Sequence, residues 1–186
     1  MRVVGGEFRS RRLKSLPGAA MRPTPDMLRE TLFNVLAPRI PGCTFVDAYA
    51  GSGAVGIEAL SRGAARVYFL ESHPRAAALI EANLKSLGGS ERAAVLRARA
   101  TEQLPRLKAD IVFLDPPYDQ PREYGAALRI LGRKPPPLVV AQHSVRHVLE
   151  ETYGELRRVR LLRQGSNALS FFEPASTARK QQPGSD

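Results

Sequence analysis

The stretch T-F-V-D-A-Y-A-G-S-G-A-V-G-I-E-A-L-S, residues 44–61, predicts a strand, a glycine-rich loop and a helix in direct succession. Four of the six residues at 44–49 are β-branched or aromatic, which is typical of a strand. Residues 53–62 carry mostly small and aliphatic side chains suited to a helix, and Gly63 ends that segment. This order of elements is typical of sheets that bind a ligand where parallel strands end.

The alternation of strand and helix continues along the chain. It favours a parallel sheet with helices on both faces. Two late strand patterns separated by Q-G-S-N predict a C-terminal antiparallel hairpin. We therefore expect a Rossmann-like α/β fold with a mostly parallel, seven-stranded sheet. After 44–49, strands are predicted at 66–71, 93–97, 109–115, 138–142, 157–162 and 168–173, and helices, besides 53–62, at 25–37, 74–87, 101–107 and 121–132.

Three parts of the chain are predicted. Residues 1–22 are expected to form a small basic arm or β-hairpin, residues 23–173 the Rossmann-like domain, and residues 174–186 a disordered tail. Thr24 followed by Pro25 predicts a helix start, because threonine caps helices and proline favours their first position. The arm contains few apolar side chains, so we expect it to add little to the core.

The chain is strongly basic. Its formal net charge of +10 and pI near 10.5 favour a polyanionic partner. An arginine-rich source proteome is the alternative explanation, but six bases against one acid in residues 1–22 favour a local nucleic-acid surface. The candidate binding residues are Arg2, Arg9, Arg11, Arg12, Lys14 and Arg22.

Composition excludes several classes of protein. The hydrophobic content of 43% and charged content of 25% are ordinary for a globular domain. No apolar run is long enough to cross a bilayer, and the N-terminus lacks the apolar stretch of a signal peptide, so we expect a cytoplasmic protein. The single Cys43 excludes a disulfide framework. His73, His143 and His147 are too scattered for a metal site, and we expect the last two on a helix surface.

The glycine loop G-S-G-A-V-G at 51–56 matches G-x-G-x-x-G, and Glu71 follows about 20 residues after its start. Dinucleotide-binding enzymes share that pattern. Asp47 points to another ligand, because a carboxylate at the end of the first strand would repel a pyrophosphate and attract a cation. S-adenosylmethionine carries an ammonium and a sulfonium and no phosphate. We expect Gly51 and Gly53 to let the backbone approach it, and Glu71 to accept hydrogen bonds from its ribose.

A second motif, V-F-L-D-P-P-Y-D at 112–119, follows the fourth predicted strand, whose end should lie beside the glycine loop. A ring-bound exocyclic amine is a poor nucleophile unless two acceptors hold its hydrogens. The Asp115 carboxylate and the Pro116 carbonyl supply such acceptors, and Pro117 adds rigidity. Tyr118 offers a face on which an extruded base stacks. The motif therefore predicts methylation of an exocyclic amine on a base. We expect the basic arm to bind the RNA backbone beside the pocket that holds this base.

Longer stretches resemble one family. These are R-V-V-G-G-E-F-R-S-R-R-L, M-R-P-T-P-D-M-L-R-E-T-L-F-N-V-L, F-V-D-A-Y-A-G-S-G-A-V-G-I-E-A-L-S-R-G and V-F-L-D-P-P-Y. They resemble class I S-adenosylmethionine-dependent amino-methyltransferases, and more closely the bacterial 16S rRNA guanine-N2 methyltransferase (RsmD) family, over residues 1–173. The resemblance implies methylation of the N2 amine of one guanine in 16S rRNA, within a small-subunit assembly particle. We expect a monomer.

The resemblance also implies site residues. Many relatives have Asp or Asn where this chain has Arg99, and an acceptor side chain for the adenine N6 amine is therefore missing here. Backbone groups near Ala100 are expected to contact the adenine edge instead. Arg22 and Thr24 are expected to close over the cofactor, with helix capping as the alternative for Thr24. The predicted cofactor site comprises Asp47, Ala48, Gly51, Ser52, Gly53, Glu71 and Ala100.

Three other functions remain open at this stage. A DNA amino-methyltransferase for adenine N6 or cytosine N4 would use the same D-P-P-Y corner, although no separate target-recognition domain is visible. A non-enzymatic RNA-binding module would not need both Asp47 and that corner. An oxidoreductase is disfavoured by Asp47. Cys43 lies at the start of the first strand, at the end opposite the predicted site. The chain therefore offers no cysteine nucleophile for attack on a pyrimidine ring.

Overall fold

The computed structural model describes residues 1–15 and 26–178. Its central feature is an eight-stranded sheet in the order β3-β2-β1-β4-β5-β8-β7-β6. The strands β1 to β5 are parallel to one another, and β8 pairs antiparallel with β5. The strands are β1 (Thr44–Asp47), β2 (Arg66–Leu70), β3 (Ala93–Leu96), β4 (Ile111–Leu114), β5 (Leu138–Ser144), β6 (Thr152–Tyr153), β7 (Leu156–Gln164) and β8 (Asn167–Pro174).

Helices cover both faces of the sheet, as the alternation predicts. Short 3-10 turns occupy Ala37–Arg39, Ser90–Arg92 and Leu104–Arg106, so the helix predicted at 101–107 is split between α4 and a 3-10 turn. The α-helices are α1 (Asp26–Leu36), α2 (Ala54–Ser61), α3 (Pro74–Leu87), α4 (Ala100–Gln103), α5 (Arg122–Leu131) and α6 (Ala175–Ala178).

Two expectations about the C-terminal half are wrong. The sheet has eight strands and not seven, because the two-residue strand β6 pairs with the start of β7, and so short a strand leaves no periodic signal. The predicted disordered tail begins too early, since Pro174 belongs to β8 and α6 follows it. Residues 179–186 lie outside the described residues, as do Arg22, Thr24 and Pro25.

The core has two layers because successive strand residues face opposite sides of the sheet. Phe45 and Phe113 pack in the layer under α1, α2 and α3, whereas Val46 and Val112 pack in the layer under α4 and α5. Strands buried on both faces explain why the sequence pattern is continuously apolar there.

The N-terminal arm is part of this core. Val3, Phe8 and Leu13 are buried in the same layer as α2 and α3, and a single antiparallel bridge joins Arg2 to Arg12. The expectation that the arm adds little to the core is therefore wrong. The sequence does not reveal this role, because Val3, Phe8 and Leu13 are too widely spaced to form an apolar run or a helix or strand periodicity.

Buried charge fastens the arm to the helices. The carboxylate of Glu58 accepts hydrogen bonds from the amides of Val4 and Gly5, each at 2.8 Å. Its oxygens also contact two arginines: Arg62 Nε at 2.8 Å and the fully buried Arg29 Nε at 3.6 Å. Arg29 Nη2 in turn donates a hydrogen bond to the Arg2 carbonyl of the arm at 2.6 Å. Since an unpaired buried charge is costly, this cluster holds the arm, α1 and α2 in one arrangement.

None of the helices in the described ranges is long and apolar enough to serve as a membrane span.

Candidate active site

The loops after β1 and β4 lie side by side, as expected from the sequence. Asp47, the last residue of β1, is in register with Phe113 of β4, and the next amide, Ala48 N, donates to the Phe113 carbonyl at 3.0 Å. The carboxyl edge of the sheet therefore brings the glycine loop next to the D-P-P-Y corner. Strand β1 is the point where the strand order reverses, which is where open α/β sheets bind ligands.

Two carboxylates fix the glycine loop. Asp47 Oδ2 accepts a hydrogen bond from the Gly56 amide at 2.9 Å, within the first turn of α2. Glu71 Oε2 accepts from the Gly51 amide at 2.8 Å, and its other oxygen accepts from the His73 amide at 2.7 Å. Each carboxylate oxygen has a second lone pair, so Glu71 can also accept from a ligand hydroxyl.

Glycine is required at two positions of this loop. Gly53 has a φ of 77°, and a Cβ there would lie 3.0 Å from Ile80 Cγ1. A Cβ on Gly56 would lie 2.3 Å from the ring of Phe69. The first glycine lets the backbone turn into α2, and the second lets α2 pack closely on β2.

The loop is an anionic environment. Burial raises the pKa of Asp47 to about 7, the Gly56 hydrogen bond opposes this rise, and the charge of Glu71 adds to it. A ligand cation near Asp47 would favour the ionised carboxylate. A pyrophosphate does not fit, because Asp47 already takes an amide at the start of α2 and would repel the phosphate charges. A buried carboxylate in this loop would suit a cationic ligand, and the cationic ligand expected from the sequence stays a prediction.

The remaining predicted cofactor residues share this edge of the sheet. Ala48 is buried directly after β1, and Ser52 is half-buried in the loop itself. Ala100 is buried at the start of α4, shortly after β3 ends. Arg99 is the N-cap residue of α4, with an extended backbone and an exposed side chain that makes no capping hydrogen bond. These positions are compatible with an adenosine lying across the ends of β1, β2 and β3.

The D-P-P-Y corner follows β4 directly. Asp115 is half-buried and Pro116 buried, while Pro117 and Tyr118 are exposed. The Tyr118 side chain is 61% exposed, and its hydroxyl donates to Asn167 Oδ1 at 3.2 Å, at the start of β8. The corner therefore presents a tyrosine face to solvent, tied at its hydroxyl to the C-terminal hairpin.

A cavity of about 210 Å³ opens beside this corner. One of the residues that line it, Tyr124, donates a hydrogen bond from its hydroxyl to the Gln142 carbonyl of β5 at 2.6 Å. Burial raises the pKa of Tyr124, and the nearby Asp115 and Tyr118 raise it further, so this tyrosine stays protonated. The lining residues are Tyr118, Pro121, Tyr124, Ser144, Arg146 and His147.

The sequence did not reveal most of these residues. The prediction of His143 and His147 on a helix surface is wrong: β5 continues to Ser144, and His147 lies in the turn that follows. His143 is buried on β5, where Nδ1 donates to the Ser144 carbonyl and Nε2 lies 2.9 Å from Ser170 Oγ. Burial lowers its pKa, so it is neutral. These residues could have been identified from their position directly after β5, because residues that follow a parallel strand lie at the edge of the sheet where ligands bind.

The described bases of the arm lie away from this site. The arm contacts Ser61 at the end of α2, and Glu7 pairs with Arg92 just before β3 begins. Both contacts are at the amino ends of the strands, so the arm does not lie beside the D-P-P-Y corner as expected. Its predicted RNA-binding side chains, Arg2, Arg9, Arg11, Arg12 and Lys14, are all exposed.

Within the described ranges, no three His, Cys, Asp or Glu residues are placed to hold a metal ion.

Comparison with known proteins identifies close relatives over the whole domain. The sequence family described as "Conserved hypothetical protein 95" matches residues 1–173. A Bacillus subtilis protein provisionally named an rRNA methyltransferase is 32% identical over 182 residues, which cover 93% of this chain and 98% of that protein. The ribosomal RNA small subunit methyltransferase D of Haemophilus influenzae is 41% identical over 123 residues, covering 63% of this chain and 64% of that protein.

A solved structure extends the likeness to the fold. An Escherichia coli protein provisionally titled a methyltransferase superposes with a TM-score of 0.82 at 29% identity. The superposition covers 94% of this chain and 97% of that protein. The two proteins thus share their fold along nearly the full length of both chains.

Proposed function

The chain belongs to the RsmD family and is an rRNA methyltransferase, and on that basis we propose that it methylates the exocyclic N2 of a guanine in 16S rRNA. The observation that supports this proposal is the placement of two sites at one sheet edge. An anionic glycine loop follows β1, and an acceptor-rich D-P-P-Y corner follows the neighbouring strand β4. The first suits a cationic cofactor and the second suits an amine.

The proposed methyl donor is S-adenosylmethionine. Asp47, 2% exposed and with a raised pKa, supplies a carboxylate for the cationic methionine part, and Gly51 and Gly53 let the backbone approach. Glu71 retains lone pairs for the ribose hydroxyls. When bound, the cofactor supplies a methyl group on a positively charged sulfur.

The protein's part in the reaction is to orient and desolvate the amine. The guanine amine lone pair is delocalised into the ring, and acceptors on both hydrogens favour the pyramidal form in which that pair is available. Asp115 and the Pro116 carbonyl are the proposed acceptors, and Tyr118 is the stacking surface. As nitrogen gains the methyl group it must lose a proton, and the Asp115 carboxylate is the nearest proposed base in the corner. Positioning supplies most of the catalysis.

Ribosomal RNA is a large polyanion, which fits the net charge of +10. We propose that the substrate is a small-subunit assembly particle and that the protein acts on it as a monomer. Since the described bases of the arm lie at the opposite edge from the corner, they would contact RNA distant from the target base. The arm then contributes to affinity and register but not to base recognition.

The test separates cofactor binding from methyl transfer. Asp115→Ala should bind S-adenosylhomocysteine with wild-type affinity by calorimetry, because its proposed contacts are with the target amine. Its rate of methyl transfer to small-subunit particles should fall about 100-fold or more, as for loss of a general base and acceptor. Asp119→Ala is the matched control, since it removes an exposed carboxylate from the same loop. Normal turnover by Asp115→Ala would contradict the proposed mechanism.

A further inference from the structure

The turn after β5 places an arginine at the cavity beside the D-P-P-Y corner. β4 and β5 are parallel neighbours, so Asp115 and the turn of Ser144, Arg146 and His147 lie at the same edge of the sheet. The hairpin between β7 and β8 holds this turn, because the Val145 amide donates to the Ser166 carbonyl at 3.0 Å. The cavity is therefore formed by elements that the packing fixes in place.

Aromatic rings form the walls of the cavity. The rings of Tyr124 and His147 are 4.9 Å apart between centroids, at an angle of 33°. Hydrogen bonds hold both tyrosines: Tyr124 to the Gln142 carbonyl and Tyr118 to Asn167. At about 210 Å³ the space is below the usual range of about 300–1,000 Å³ for drug-sized ligands. Its size and flat walls suit a single base and not a whole nucleotide.

The polar side of the cavity is rich in hydrogen-bond donors. Within residues 1–15 and 26–178, the Arg146 guanidinium forms no ion pair. The Ser144 hydroxyl oxygen accepts from the Arg146 amide at 3.2 Å, which leaves its own hydrogen to donate. A ligand here should therefore present acceptors.

Guanine presents two acceptors side by side, O6 and N7, and arginine binds both at once with its planar fork of N–H groups. A guanine whose N2 lies at Asp115 directs its O6 and N7 away from the corner, and β5 is the next strand along the edge in that direction. Adenine would present its N6 amine to the guanidinium in place of O6, so that two donors would meet.

From these observations, and on the basis of the proposed function, we propose that the cavity receives the target guanine and that Arg146 hydrogen-bonds its O6 and N7. Arg146 is then the residue that selects guanine. Asp115 and Pro116 hold an exocyclic amine and do not by themselves distinguish one amine-bearing base from another.

The test compares two bases that both carry the N2 amine. Small-subunit particles are assembled with 16S rRNA that has guanine or 2,6-diaminopurine at the methylated position, the second base replacing O6 by an amine. The wild-type protein should prefer guanine in kcat/KM by about 5- to 150-fold, the usual discrimination of a bidentate arginine. In Arg146→Gln the ratio should fall to near one. Arg133→Gln, which removes an exposed arginine beyond the end of α5, should keep the wild-type ratio.

A phosphate contact by Arg146 gives a different result. It would lower kcat/KM equally on both particles, leaving the ratio unchanged, and Arg146→Lys would restore most of the rate because lysine keeps the charge. Under our proposal Arg146→Lys loses the discrimination as well, since it lacks the planar fork. An unchanged ratio in both variants, with wild-type melting temperature, would overturn the inference. Absence of N2 methylation by the wild-type protein on either particle would instead overturn the proposed function, and with it this assignment.

Discussion

Replacing Asp47 by asparagine should strengthen the fold and weaken the site. Burial raises the pKa of Asp47 from 3.8 to about 7, so the ionised carboxylate is less stable in the folded chain than in the unfolded one. Ionisation of Asp47 therefore lowers the free energy of unfolding. This loss is absent below about pH 4, grows as the pH rises, and is complete above about pH 7, where it reaches up to about 4 kcal/mol. Asparagine keeps an oxygen for the Gly56 amide and carries no charge. Asp47→Asn should therefore melt above the wild type at pH 8, by about 2–4 °C per kcal/mol, and lose this advantage towards pH 4.

Ligand binding should change in the opposite direction. A hydrogen bond to a charged group contributes about 1.5–3 kcal/mol, so the affinity of Asp47→Asn for S-adenosylhomocysteine should fall about 10- to 150-fold. Titration calorimetry at pH 8 and melting curves from pH 4.5 to 8 give the two readouts. Asp110→Asn is the control, because Asp110 is an exposed carboxylate at the opposite end of β1, where it accepts from the Thr44 amide at 2.7 Å. Affinity and stability falling together at pH 8, or an unchanged affinity, would refute the reasoning.

Two further predictions concern the corner and the arm. Tyr118→Ala should lose the stacking of a base, worth about 1–3 kcal/mol, so methyl transfer should fall about 5- to 150-fold, while Tyr118→Phe keeps the ring and should lose much less. Equal losses in single-turnover assays of the two variants would exclude stacking as the cause. Glu58→Gln removes the buried carboxylate that Arg29 and Arg62 share and leaves Arg29 paired with the exposed Asp26, so it should destabilise the fold by up to about 5 kcal/mol in denaturant titrations. An unchanged midpoint would show that the buried cluster does not fasten the arm.

The regular elements were predictable because local signals mark them. Pro74 and Gly88 bound α3 at the residues that the sequence indicates, and Gly88 has the positive φ of 75° typical of a helix end. Strands β1, β2 and β4 are buried on both faces, and their apolar runs show it. In each case the sequence signal lies within a few residues along the chain.

The unpredicted features depend on contacts that are distant in sequence. Tyr118 and Asn167 meet across 49 positions, and Glu58 binds amides 53 and 54 positions earlier. Phe8 has no neighbouring apolar residue that would mark it as core. Asp47 was predicted to face a ligand, but its bond to Gly56 depends on where α2 starts. Arg146 carries no motif at all, and only its place after β5 gives it a role.

The most direct test of the central claim is the identity of the methylated nucleoside. Small-subunit particles from a strain that lacks this methyltransferase are incubated with the purified protein and labelled S-adenosylmethionine, and their 16S rRNA is digested to nucleosides for mass spectrometry. We predict that the label is found in N2-methylguanosine, at no more than one per rRNA molecule, and not in methylated adenosine or cytidine. Label in N6-methyladenosine or N4-methylcytidine, or none in the rRNA while DNA is methylated, would contradict the account.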